Sequence, residues 1–246
     1  ADEIAAPRPV AELLRQWSSL HPEFAYLPRK FKIAVIGAEE DRAAMKFHDI
    51  GVRARPPEPG EGRPRYDIWV GGGQGRTPRV AMLFESDVPF QQLLPTLDSM
   101  LRVYNLAGRR DNKYKARIKI LVAEMGRDEY RSAVKADMAT RDASQFDLAA
   151  PEYDRIFAHF AAAPVAPREP LLLKAKGAFK AWLDQNVTAH KVPGHAVVSI
   201  SLKGDGEIPG DATANQMRAI ADLADKHSAS EIRVTHRQNL VFPFVP

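Results

Sequence analysis

The sequence contains no cysteine. That absence removes disulfides, thiolate-built zinc sites, thiolate-ligated iron–sulfur clusters and cysteine nucleophiles from what the chain itself supplies. Histidine is sparse as well. The seven are scattered, none at the i, i+4 spacing of a helical zinc site, and His190 and His195 are separated by a Pro193-Gly194 turn. No metal site made by these side chains alone is expected. The start carries no basic, apolar signal-type segment, and no apolar run is long enough to cross a bilayer. No membrane role follows, and a cytoplasmic setting is the expectation.

What is present reads as a packed globular chain. Apolar residues make up 45% and charged residues 27% of 246, near globular averages and enough for one large domain, or one ordinary and one smaller. The formal charge of +4 predicts attraction to anions without naming the anion. Its distribution says more. Segment 109–119 (RRDNKYKARIK) holds six basic residues against one acidic, and Arg29, Lys30 and Lys32 form a second knot.

Hydrophobic spacing outlines the elements. Val10, Leu13, Leu14 and Trp17 mark an amphipathic helix opened by Pro9. Strands are expected at 32–37, near 50–54, at 66–70 and at 79–84, the last two as a hairpin joined by a glycine loop. Phe90, Leu93, Leu94, Leu97, Met100, Leu101 and Tyr104 keep a helical period for four turns, with Asp87 as candidate N-cap and Gly108 as stop. Another helix is expected over 128–138. Segment 149–170, with four prolines, reads as a linker. Beyond it, Ala175, Phe179, Trp182 and Leu183 suggest a helix, followed by a strand at 195–202, a helix opened by a Thr213/Gln216 capping box, and strands at 232–235 and 240–244. The order β-α-β-β is half of a ferredoxin-like unit, which leaves a sheet edge and an apolar face to be covered by another segment. The fold class is therefore mixed α+β: an α/β domain over 1–150, a linker over 151–174 and a half-domain over 175–246. The chain starts on Ala and ends on FPFVP after a strand-like run, so both ends are expected to be cuts in a longer protein.

Three motifs carry chemistry, each with a bland rival. Gly71, Gly72, Gly73 and Gly75 follow a strand and would let backbone N–H groups approach an anion. Neither nucleotide fingerprint fits, because Val70 and Arg76 stand where a Walker loop needs Gly and Lys, and Arg76 where the dinucleotide motif needs Gly. The rival is a turn of no function. Lys113, Lys115, Arg117 and Lys119 read as a solvated face, a nucleic-acid patch or a polycarboxylate site. Only Tyr114 is interleaved, which makes nucleic acid the weaker reading. In a strand, Lys30 and Lys32 would share a face and repel each other unless an anion lies between them; the rival is a lysine-guarded edge.

Taken together, LPRKFK (27–32), HDIGV (48–52), VGGGQGRTP (70–78), RVYNLAGRRDNKYKARIKILV (102–122), HKVPGHAVVSISLKGDG (190–206) and THRQNL (235–240) resemble the siroheme-dependent sulfite and nitrite reductases. The likeness covers nearly the whole chain, 139–173 excepted. It implies a siroheme-binding domain followed by a ferredoxin-like half, in an enzyme that couples siroheme to a 4Fe–4S cluster and reduces sulfite to sulfide by six electrons. Nitrite as substrate is the alternative, and a non-catalytic polyanion or nucleic-acid module the reading from another class. It further implies Lys30 and Lys32 as substrate-holding residues. Arg29, Gly71, Gly72, Gly73, Asn112, Lys115 and Arg117, and more weakly Arg237, Gln238 and Asn239, are the implied siroheme contacts. Lys32 favours sulfite, since nitrite-reducing relatives often carry Asn there. The implied electron donor is a flavoprotein or a ferredoxin, and the cluster's cysteines are implied to lie outside this chain.

Overall fold

The computed structural model describes residues 3–147, 149–161, 165–170 and 174–246, and the chain forms two compact units that divide after Ala161. In the first, α1 (Pro7–Ser18) starts at Pro7, where a missing N–H costs nothing, and buries Val10, Leu13 and Leu14. A four-stranded sheet runs β1 (Ile33–Ile36), β2 (Ile50–Arg55), β3 (Arg65–Val70), β4 (Met82–Val88) in that spatial order. β1 lies parallel to β2, and the other pairs are antiparallel. Alternation selects the faces: Ile50, Val52 and Ala54 pair with Val70, Ile68 and Tyr66, all six at most 1% exposed. They share a core with Leu93, Leu97, Met100, Leu101 and Tyr104 of α2 (Phe90–Ala107). Helices α3 (Ile118–Met125), α4 (Arg127–Ala139) and α5 (Ala149–Phe160) complete the unit.

Four expectations are corrected. The fourth strand begins at Met82, not at 79, because Gly73 and Arg79 exchange backbone hydrogen bonds across the glycine loop and Ala81 N–H goes to the Lys46 carbonyl. Asp87 does not cap α2. It sits at φ 58° with its carboxylate on Arg65, and Pro89 occupies the cap. The first half of the expected linker is helix, while 162–164 and 171–173 lie outside the described residues: α5 packs on α1, buries Tyr153 and Ile156, and sets Tyr153 edge-on to Phe90 at 4.9 Å. Arg63 reaches its Asp154 at 2.5 Å. Prolines suggested a break, but Pro151 falls in the first turn of α5, where proline is tolerated. Finally, Lys30 and Lys32 precede β1, so the alternation of a strand does not set their direction.

In the second unit, α6 (Gly177–Asn186), β5 (Val187–Ala189), β6 (Ala196–Ser201), α7 (Ala214–His227), β7 (Arg233–Val234) and β8 (Asn239–Val245) follow one another. The sheet order is β5-β6-β8-β7, antiparallel throughout. β6-α7-β7-β8 is the expected half of a ferredoxin-like unit, and β5 is an added strand. The Thr213 cap is complete, with the Gln216 side chain returning to the Thr213 N–H. Ile220 and Ala224 of α7 close a small core with Leu240 and Phe242.

Candidate functional site

Asp49, at the entrance to β2, is 0% exposed. A carboxylate so enclosed must be paired and hydrogen-bonded; two distant segments do this, and a third bonds the residue's backbone. The Lys32 N–H donates to Oδ2 at 2.9 Å, Arg117 donates through Nε at 2.9 Å and Nη2 at 2.5 Å, and the Gly71 N–H donates to the Asp49 carbonyl at 2.9 Å. The fork-on-carboxylate geometry fixes direction as well as charge. Asp49 thus gathers the lysine segment, the glycine loop and the basic cluster.

A second set of bonds staples the lysine segment to the cluster. Arg29 donates to the Lys113 carbonyl, and Arg110 donates to the Tyr26 carbonyl at 2.9 Å and the Asn105 carbonyl at 2.8 Å. The Tyr104 hydroxyl, on the last turn of α2, is directed at the carbonyls of Ala116 (2.7 Å) and Arg29 (3.1 Å). Burial pushes its pKa up to about 12, so it stays a donor. Gly108 lets the chain turn here: a Cβ would stand 2.5 Å from the Tyr104 carbonyl and 2.8 Å from Pro28.

The glycine loop is built from beneath. A Cβ on Gly72 would meet the Lys46 and His48 carbonyls at 2.3 and 2.5 Å, and one on Gly73 would meet the Lys119 side chain at 2.9 Å. Gly71 and Gly73 spend their N–H groups on Asp49 and Arg79, so the glycines serve internal packing first. Lys119, 6% exposed, donates from Nζ to the Gln74 carbonyl at 2.6 Å and the Thr77 carbonyl at 2.8 Å.

The basic cluster is therefore not one face. Arg109 pairs with Asp111, Arg110 holds carbonyls, Arg117 belongs to Asp49, and Lys119 points inward. Lys113 lies over the Tyr114 ring at 5.3 Å. Asn112 accepts the Tyr114 N–H at 3.0 Å and caps the turn that carries Lys115. Lys30, Lys32 and Lys115 are exposed, with no side-chain partner among the described residues. In the second unit Lys203 braces the turn holding Arg237, Gln238 and Asn239: its ammonium bonds the Arg237 carbonyl at 2.6 Å and the Asn239 side chain. Gln238 there adopts φ 58°.

Sequence reasoning missed Asp49, Tyr104 and Lys119 as organisers. HDIGV placed Asp49 within a motif, yet a lone acid beside a strand carries no signal of burial. The residues present fit the carboxylate periphery of siroheme, because the exposed ammonium groups of Lys30, Lys32 and Lys115 have no side-chain partner among the described residues. They do not fit a cluster: no thiolate exists, and among the described residues no group of three His, Asp or Glu side chains could hold a metal. Nor is any helix of the described residues long and apolar enough to cross a membrane.

Residues 1–141 match the family model described as the nitrite and sulphite reductase 4Fe-4S domain, and residues 193–246 that of the nitrite/sulfite reductase ferredoxin-like half domain. Sulfite reductase (ferredoxin) 1 of Mycolicibacterium paratuberculosis is 28% identical over 100% of this chain and 38% of its own length. The assimilatory ferredoxin-dependent nitrite reductase of Haloferax mediterranei is 27% identical over 99% of this chain and 39% of its own length. The structure of the Mycobacterium tuberculosis NirA protein superposes with a TM-score of 0.65 at 24% identity, covering 100% of this chain and 38% of that one. It shares the fold. The chain thus spans under two fifths of the relatives it matches.

Proposed function

Because this chain belongs to the nitrite and sulphite reductase family, we propose that it supplies the substrate-facing lysines and part of the siroheme cradle of a cytoplasmic sulfite reductase, with a ferredoxin as electron donor. The observation that carries the reading is the convergence on Asp49, which brings together three segments that the sequence separates. In this reading siroheme, with a 4Fe–4S cluster ligated from outside this chain, would relay the ferredoxin's electrons and provide the iron centre for the reduction. The chain's own residues supply position and charge. Lys30 and Lys32 hold the oxyanion by charge and donate protons as its oxygens leave. Lys115 and Arg29 bind carboxylates, Asn112 and Tyr104 hold the turn and carbonyls that place them, and the Asp49–Arg117 pair fixes the floor. Arg237, Gln238 and Asn239 are proposed as contacts from the second unit.

Nitrite is the second reading, favoured by the relatives named as nitrite reductases. Lys32 supports sulfite, since a dianion gains more from a second ammonium than a monoanion does. The test is siroheme occupancy, read as visible absorbance per protein in the longer enzyme that contains this chain. Lys115→Ala should lower occupancy with folding intact. Unchanged occupancy would return Lys115 to a solvated face.

A further inference from the structure

Segment 74–80 is exposed throughout, yet it is held at two carbonyls by one buried side chain. Apart from the Gly73–Arg79 backbone pair, those two bonds from Lys119 are the hydrogen bonds that hold residues 74–78 among the described residues. Burial holds the Lys119 ammonium below its ordinary pKa, and the positive charges of Arg117 and Arg79 add to this, against the opposing pull of Asp49. Packing alone would be served by Met or Leu. A cation kept in a buried, like-charged neighbourhood is accounted for by the carbonyls it grips.

What the loop carries gives the grip a purpose. Arg76 and Arg79 are exposed and have no side-chain partner among the described residues. Arg79 lies close enough to Lys119 for its charge to act there, so repulsion would drive a loose loop outward. We propose that Lys119 is a positioning residue that latches segment 74–79 and thereby presents Arg76 and Arg79 as a further carboxylate-binding pair beside the lysine cradle. This rests on the polycarboxylate reading of the site and adds to it two binding residues and the group that sets them.

The test uses this whole chain, trypsin and uroporphyrin, a polycarboxylate macrocycle whose fluorescence reports binding. Trypsin cuts after arginine, and when opening is fast its rate at Arg76 and Arg79 follows the open population, so Lys119→Met should raise cleavage there by about tenfold. Lys119→Arg, which keeps the donors, should restore protection. Lys119→Met should also weaken uroporphyrin binding about as much as Arg76→Gln with Arg79→Gln, at an unchanged circular dichroism spectrum. If Lys119→Met does not fold, Lys119→Gln takes its place, with intermediate cleavage expected. Cleavage at the unsubstituted rate overturns the latch. Faster cleavage with undiminished uroporphyrin affinity overturns the binding pair. If the unsubstituted chain binds no uroporphyrin, the polycarboxylate reading and the binding pair fall together, and the protease pattern alone decides the latch.

Discussion

Breaking an ion pair whose acid is fully enclosed costs more than the pair contributes, because the surviving charge is left without a partner. Asp49→Asn strips the countercharge from Arg117 while keeping an acceptor for the Lys32 N–H. A loss of about 3 kcal/mol in the first unit is expected from urea unfolding, and Asp49→Asn with Arg117→Met should recover part of it. Equal losses from the single and the double substitution would remove the ion pair from the account. Lys32 differs, since its ammonium has no side-chain partner to lose among the described residues. In the longer enzyme Lys32→Asn should lower kcat/KM for sulfite far more than for nitrite; equal losses would leave no case for sulfite. Residue identity was legible where charge clustered, as in LPRKFK. It was not legible where a charge turned inward: nothing in RRDNKYKARIK says that Lys119 faces a loop and Lys115 faces water.

Between neighbouring elements the glycines separate two physical demands. At Gly72 a methyl group would press on two backbone carbonyls, whereas at Gly75, φ 93°, it would meet open space. Gly72→Ala should therefore cost more than Gly75→Ala, for which only left-handed strain of about 1–2 kcal/mol applies. Thermal unfolding of the two variants compares them, and equal costs would mean that the loop floor yields freely. In the second unit, Thr213→Ala removes a complete capping box and should cost about 1 kcal/mol. That box, the four-turn period of α2 and the alternation of β2 and β3 were plain in the sequence because each is a local pattern. α3 was not, since its eight residues follow directly on a charge cluster. α5 was hidden by prolines, one of which its first turn accommodates, and the contacts that hold it come from α1 and Phe90.

At the scale of the molecule, the proposed cradle is expected to be a poor catalyst by itself. It spans 38% of its sulfite reductase relative, and it has no cysteine, so no thiolate of its own can ligate iron. Siroheme added to this chain would be held by carboxylate contacts alone. Lys30, Lys32 and Lys115 are exposed, and contacts between exposed charges are screened over about 8 Å at physiological ionic strength. Binding should therefore be measurable at low salt and fall steeply as salt rises. Under the proposed function, reduction should be absent under both conditions, since electrons would reach the substrate through a thiolate-ligated cluster and this chain has no cysteine to hold one. The measurement is sulfide formed from sulfite by the purified chain with siroheme and an artificial reductant, at low and at physiological ionic strength, with bound siroheme quantified in the same samples. Retained siroheme without sulfide would match a cradle that awaits the rest of its enzyme. Sulfide production by this chain alone would overturn the requirement for a thiolate-linked cluster, and with it the assignment of Lys30 and Lys32 to one part of a larger site.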